Sequence, residues 1–323
     1  MDTGGGGRAT HRCVSAIDID AVQSSRGGLA VTFLSIVMPV YNESRTIGSA
    51  VESVLAVDYP CQVELIVVDD GSADSTSDLL KPFEARGIRV VRHPRNLGKG
   101  AAVRTGVDLA QGSHLIILDA DLEYSPADIA VMLVPVVEGR ADHVFGTRIF
   151  GLNTRFPSFR FAVGGRATTL AANMLYDSCL TDMHTCLKLL PLEDFRALAL
   201  AEDGFGLDTQ LTARLLRAGV RPYEVPVTYH GRSVQEGKKI SWVDGVRCLQ
   251  ILMKVRLAKA PSLASASVPR SLAVVGATAG LTASVVPLTA EAALVVVADT
   301  IPADAAGPDC DADLLDELVA VPS

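Results

Sequence analysis

From Leu34 onward, short apolar blocks alternate with stretches whose apolar residues recur at helical spacing. LSIVMPV (34–40) is a continuous apolar run stopped by the turn-prone Asn42, the pattern of a strand buried on both faces. Residues 45–56 space Ile47, Val51, Val54 and Leu55 as one face of a helix. The alternation then repeats. Strands are predicted at 63–70, 88–93, 114–119 and 143–148, with helices at 74–85, 98–110 and 126–138 between them. Asp74 or Ser75 can cap the helix at 74–85, and Pro126 can open the one at 126–138. Strand and helix in turn predict an α/β fold, a Rossmann-like and mostly parallel sheet with helices on both faces. Beyond residue 150 the pattern predicts helices at 160–176 and at 207–217, the second closed by Gly219. RPYEVPVTYH (221–230) alternates like a strand, and Pro222 and Pro226 assign it to an edge. An amphipathic helix follows over 240–259, with six basic residues in 238–259 against one acid, Asp244.

Three regions emerge: a Gly-rich leader (1–32), a working domain (33–260), and an Ala/Val-rich acidic tail (261–323) read as disordered. Residues 271–290 carry no charge, which raises a membrane span as one reading, yet only seven of the twenty are Leu or Val, and a low-complexity tail is the favoured one. Eight of the 37 acids and none of the 29 basic residues follow Arg270. The net charge of −8 therefore belongs to the tail, and the domain is balanced, which excludes a basic nucleic-acid binder. The six cysteines form no C-x-x-C pair and read as scattered thiols, not as a disulfide framework. The first 32 residues lack an apolar run of signal length, so a cytoplasmic protein is expected.

Three segments carry candidate chemistry. DADLEY (119–124) follows the strand HLIIL, so Asp119 and Asp121 emerge at the carboxyl end of a parallel strand, and Glu123 adds a third carboxylate two residues on. Hard oxygens there suit Mg²⁺ or Mn²⁺ sharing its remaining sites with a diphosphate. The same residues also read as an acidic turn leading into a helix capped by Ser125. VVDDGSADST (67–76) places Asp69 and Asp70 at a second strand end, where carboxylates accept hydrogen bonds from a ribose or a base, or shape a capping turn. In HPRNLGKGAAVRTG (93–106), Gly98 and Gly100 permit close backbone approach, and Lys99 and Arg104 put positive charge beside a helix N-terminus, favourable for phosphate.

With MPVYNE (38–43), these segments in this order resemble an inverting family 2 glycosyltransferase of the GT-A fold. FGTRIFG (145–151), LTDMHTCLKL (180–189), DGFGLDTQLTARL (203–215) and YEVPVTYHGRSVQEGKKISWVDG (223–245) are similar to its polyprenyl-phosphate branch, the dolichyl-phosphate mannose synthase-like enzymes. The likeness covers about 34–258. It implies a nucleotide-sugar site at Pro39, Tyr41, Glu43, Asp69, Asp70 and Lys99, and Mg²⁺ or Mn²⁺ on Asp119, Asp121 and Glu123. It further implies that Arg148, Arg160 and Arg232 meet phosphates of donor and acceptor, a role suited to a permanently charged fork, with Asp119, Asp121, Arg148 and Arg232 as the catalytic set.

GDP-mannose is the donor this branch favours, and UDP-glucose is the alternative. The acceptor implied is a polyprenyl phosphate, met by peripheral contact at the cytoplasmic face of a membrane, with the helix 240–259 and its Trp242 either resting on lipid or packing as a surface helix. Two departures stand at the expected acceptor side: His184 where relatives have Glu, and Gly206-Leu207-Asp208-Thr209-Gln210 where they have Gly-Phe-Glu-x-Glu. His184 reads as a neutral polar contact. The competing reading is a family 2 enzyme with a soluble hydroxyl acceptor, for which Asp208 would be the general base. A nucleotidyltransferase would want a Gly- and Arg-rich loop after the first strand, and MPVYNESRT has one Arg and no Gly.

Overall fold

The structure is a computed structural model and describes residues 33–149, 154–156, 158–232 and 242–263. The leader, the tail from residue 264 on with 271–290, and the side chains of Arg160 and Trp242 lie outside the described residues. The first half alternates as its apolar pattern requires: β1 (Phe33–Val40), α1 (Ile47–Leu55), β2 (Gln62–Asp69), α2 (Thr76–Ala85), β3 (Arg89–Arg92), α3 (Lys99–Leu109), β4 (His114–Ile117), α4 (Ala127–Val137) and β5 (Val144–Thr147). Then come β6 (Thr154–Arg155), α5 (Phe159–Tyr176), β7 (Lys188–Pro191), α6 (Leu192–Ala197), α7 (Gly206–Arg217), β8 (Tyr223–Pro226), β9 (Tyr229–His230) and α8 (Trp242–Leu257).

Seven strands form one sheet in the order β3-β2-β1-β4-β7-β5-β8, and β6 pairs with β9 apart from it. The strands β3, β2, β1 and β4 run parallel, so their carboxyl ends and the loops after them gather on one edge. The core follows from the runs: every residue of β1 from Leu34 to Val40 and all of β4 are buried, which only a doubly covered sheet provides.

Two features depart from the sequence pattern. β7 enters antiparallel between β4 and β5, pairing Ile116 with Leu189 and Phe145 with Lys188, so the start of β7 reaches the loop edge of the sheet. LKLLP is too short a run to declare a strand, and it needs two neighbours in place before its backbone groups find partners. The stretch 221–230 also divides: β8 ends at Pro226 on the sheet edge, parallel to β5, and β9 leaves to join β6. Gly219, just past α7, has φ +88, the left-handed turn a glycine closes without strain.

Candidate active site

The register Val40↔Asp69 brings the loops after β1 and β2 out side by side, and polar groups staple them together. The Asn42 N–H donates to Ser72 Oγ (2.9 Å), and its side-chain oxygen accepts from the Ala73 N–H (2.8 Å). The Glu43 N–H donates to Thr76 Oγ1 (3.0 Å) and the Ser44 N–H to Asp74 (3.2 Å). Burial raises the Asp74 pKa, but hydrogen bonds from Thr76 and Ser44 outweigh it and hold the carboxyl down at about 2. Pro39 is buried within β1, and Tyr41 is half-buried at the mouth of the loop.

Asp69 and Asp70 are turned inward. Asp69 accepts from the Ser72 N–H (2.9 Å) and the Ser77 hydroxyl, while Asp70 faces His93 Nδ1 (2.7 Å) and accepts from the N–H groups of Leu97 (2.9 Å) and Gly98 (2.7 Å). In this arrangement they shape the 70–77 and 93–98 loops with oxygens that are already engaged. The NLGKG segment likewise departs from its phosphate reading. Gly98 has φ +100, and a Cβ there would overlap the Asp203 carbonyl oxygen. That same oxygen accepts the Gly100 N–H at 2.6 Å and the Ala101 N–H at 3.3 Å. The close approach the glycines permit is therefore to the 202–203 backbone, which caps α3, and Arg104 is spent on Glu202 O (2.8 Å) and the Asp203 carboxylate.

The D-x-D is held by groups far away in sequence. Asp121 accepts from the Glu123 N–H (3.0 Å) on one oxygen and from Arg232 (3.1 Å) on the other. The Arg232 fork also reaches both oxygens of Glu43 at 3.2 Å. Burial first, then the charges of Asp119 and Glu123, push the Asp121 carboxyl up to about 7. Glu123, expected as a third metal ligand, is buried and accepts from Tyr229 Oη (2.8 Å) and the Arg232 N–H (2.7 Å). Among the described residues no three acidic, His or Cys side chains are set to hold an ion together. Asp119 and Asp121 fit a smaller demand, a hard cation held by two carboxylates that completes its shell on phosphate oxygens.

Behind Asp119 lies a chain of alternating charge. Lys99 Nζ donates to Asp119 (2.8 Å) and Asp208 (3.2 Å), and Lys188 Nζ stands 3.6 Å from the other oxygen of Asp208. Burial lowers the Lys99 pKa, but Asp119 and Asp208 raise it by more, so the ammonium is retained. Burial likewise opposes ionisation of Asp208, and the two lysines reverse it and hold the carboxyl below its usual range. Asp208 is thus a weak base. Lys188, fully buried with its ammonium on Thr185 O (2.6 Å), was not anticipated; the signal was a lysine inside the apolar run LKLL.

Within the two departures from the resemblance, His184 and Gln210 make packing contacts, whereas Asp208 belongs to the charge chain above. His184 Nε2 meets Thr168 Oγ1 at 2.5 Å, and burial lowers its pKa to about 4, leaving it neutral. Gln210 is buried, and its side-chain oxygen accepts from the N–H groups of Ala201 (2.8 Å) and Glu202 (3.1 Å).

Arg148 and Arg232 are not set in one open cluster. Arg148 is 6% exposed, and it grips Asp182 through Nε (2.6 Å) and a terminal nitrogen (2.8 Å). Its guanidinium carbon lies 4.8 Å from the Tyr229 ring centre. The structure makes it one half of a buried ion pair where the resemblance implies a phosphate ligand, and Asp182 was missed because its partner lies 34 residues away, beside it only once β5 and β7 pair. Arg160 belongs to α5, with its side chain outside the described residues. Arg232 reaches Asp121 of the D-x-D.

Residues 35–186 match the Glycosyl transferase family 2 model. The chain carries a family 2 glycosyltransferase domain. It is similar to Glycosyltransferase AglJ of Haloferax volcanii, 32% identical over 61% of this chain and 63% of that protein. The dodecaprenyl-phosphate galacturonate synthase of Rhizobium johnstonii is 38% identical over 36% of each chain. The undecaprenyl-phosphate 4-deoxy-4-formamido-L-arabinose transferase of Edwardsiella ictaluri is 33% identical over 34% of this chain and 35% of its own. The matched part thus spans between about a third and two thirds of these curated relatives. Glucosyl-3-phosphoglycerate synthase from Mycobacterium tuberculosis, solved with Mn²⁺, UDP and its product, superposes with a TM-score of 0.55 at 21% identity, over 77% of this chain and 85% of that one. The family 2 domain therefore has the mostly parallel sheet of the GT-A fold.

Proposed function

We propose that this chain transfers a sugar from a nucleoside diphosphate sugar to a polyprenyl phosphate, with inversion and with Mg²⁺ or Mn²⁺ held by Asp119 and Asp121. The observation that carries the donor half is the meeting of Glu43, Asp121 and Arg232 beside Asp119 at the carboxyl edge of β1 and β4, the edge at which open α/β sheets bind ligands. A bound cation supplies charge stabilisation to the departing diphosphate. Lys99 holds Asp119 in place from behind, and the stapled loops 41–46 and 70–76 give the nucleotide a rigid wall.

Asp208 supports the acceptor half. Held ionised between Lys99 and Lys188, it is poorly suited to take a proton from a hydroxyl, and a phosphate acceptor is ionised before it arrives. The two relatives named for dodecaprenyl and undecaprenyl phosphate point the same way. GDP-mannose is the first donor to test, with UDP-glucose beside it.

Peripheral contact with an anionic bilayer completes the reading. The outer face of α5 exposes Phe159 (81%), Val163, Leu170 and Met174 (78%), spaced as one helical stripe. The neighbouring α8, tied to it by Tyr176 Oη on Leu252 O (2.7 Å), exposes Val246, Leu249, Met253 and Leu257 beside Lys254 and Lys259. Apolar stripes edged by lysines suit lipid with anionic headgroups. Among the described residues no helix is long and apolar enough to cross a membrane.

The test is a donor screen with a polyprenyl phosphate and with the same chain ending in a free hydroxyl. Turnover confined to the phosphate, and lost in excess chelator, is expected. Equal rates on both acceptors would refute the acceptor half, and full activity in chelator would refute the metal.

A further inference from the structure

Both oxygens of Asp121 are engaged. One accepts the Glu123 N–H, and the other faces Arg232 at 3.1 Å. The guanidinium draws together three carboxylates from two loops: Glu43 at 3.2 Å on each oxygen, Asp121 at 3.1 Å, and Glu123 at 3.8 Å from Nε. Without a cation among them, three negative charges would crowd a pocket that is largely buried, a costly arrangement. Arg232 meets that need incompletely, being one charge against three, and its Nε is buried without a hydrogen-bond partner. The fork closes the cluster through contacts of 3.1–3.2 Å.

We infer that the Arg232 guanidinium and a divalent cation exclude one another at Asp121, so that Arg232 serves as a resident counter-charge which the cation must displace before the site is loaded. Two cations sharing one carboxylate repel, and a dication offers the cluster more charge in less volume. Displacement has a second effect. A guanidinium released from Glu43 and Asp121 stays tethered by its backbone N–H on Glu123, beside the position where phosphates of donor and acceptor would lie. The inference rests on the metal part of the proposed function and is independent of which acceptor is used.

The experiment is a titration of the full chain with Mn²⁺ alone, free ion being followed by electron paramagnetic resonance, without nucleotide. Arg232→Gln, which keeps polarity and removes the charge, should bind Mn²⁺ about tenfold or more tightly than the parent, the scale of one charge-assisted hydrogen bond. Arg232→Lys, a charge without a fork, should fall between them, and it carries the test if the Gln variant fails to fold by circular dichroism. Equal or weaker binding in a folded variant overturns the exchange. Repeating the titration with GDP and with UDP separates the two failures. Mn²⁺ bound by no form under any condition overturns the metal reading itself, whereas binding that is present but insensitive to residue 232 overturns the exchange alone.

Discussion

Replacing Arg148 with Met separates a buried ion pair from a phosphate ligand. Arg148 and Asp182 lie at 6% and 3% exposure and are joined by two guanidinium contacts of 2.6 and 2.8 Å. Met keeps an unbranched stem of similar bulk and removes the charge with its hydrogen-bond donors. Asp182 would be left buried with the backbone N–H groups of residue 148 (3.2 Å) and His184 (3.1 Å) as its remaining donors. Removing one partner of a buried pair costs about 3–5 kcal/mol, and these two surviving hydrogen bonds set the expectation near the lower end, about 3 kcal/mol. For a domain of this size each kcal/mol moves Tm by about 2–4 °C, so a fall of about 6–12 °C is expected.

Urea unfolding at pH 7 measures it, with an unchanged m-value confirming that stability and not compactness has altered. Adding Asp182→Leu to Arg148→Met should restore part of the loss, because two apolar groups no longer strand a charge. The reasoning fails if Arg148→Met keeps its stability within about 0.5 kcal/mol, the range of an ordinary surface change, while the KM for a polyprenyl phosphate rises steeply. That pattern would return Arg148 to the role its family resemblance implies.

Asp121→Asn should lower turnover about a thousandfold, the scale of losing charge stabilisation worth several kcal/mol, with Tm preserved because a crowded negative charge is also removed; progress curves with and without excess Mn²⁺ check it. Leu170→Glu with Met174→Glu should weaken co-sedimentation with anionic vesicles about tenfold, from the apolar area no longer buried in lipid, and wild-type binding should fall as salt rises; equal binding to neutral vesicles would count against the lipid face. Asp74 has its pKa lowered in the fold to about 2, so its contribution is complete above the unfolded value near 4 and is lost as pH falls between the two. Asp74→Asn should therefore flatten the acid limb of the stability curve over that window and leave its slope near neutrality unchanged, as measured by urea midpoints against pH.

Local pattern was sufficient for much of this protein. A strand buried on both faces has to be a continuous apolar run, so β1, β2 and β4 were legible, and Asp119 and Asp121 were legible as carboxylates at the end of one of them. Gly219 was readable because a helix stop needs only its own neighbourhood. Tertiary structure decided what those residues meet. Gly98 announced a close approach without saying that the approaching group was the Asp203 carbonyl. Arg148 was implied as a phosphate ligand and Asp182 had no role assigned, and their pairing came to light only once β5 and the 181–186 segment were brought together. Arg232 reaches Glu43 across 189 residues of sequence. Periodicity records the burial of a face, which neighbouring residues share; an ion pair between distant loops has no period, and it exists only once the sheet has set both loops on one edge.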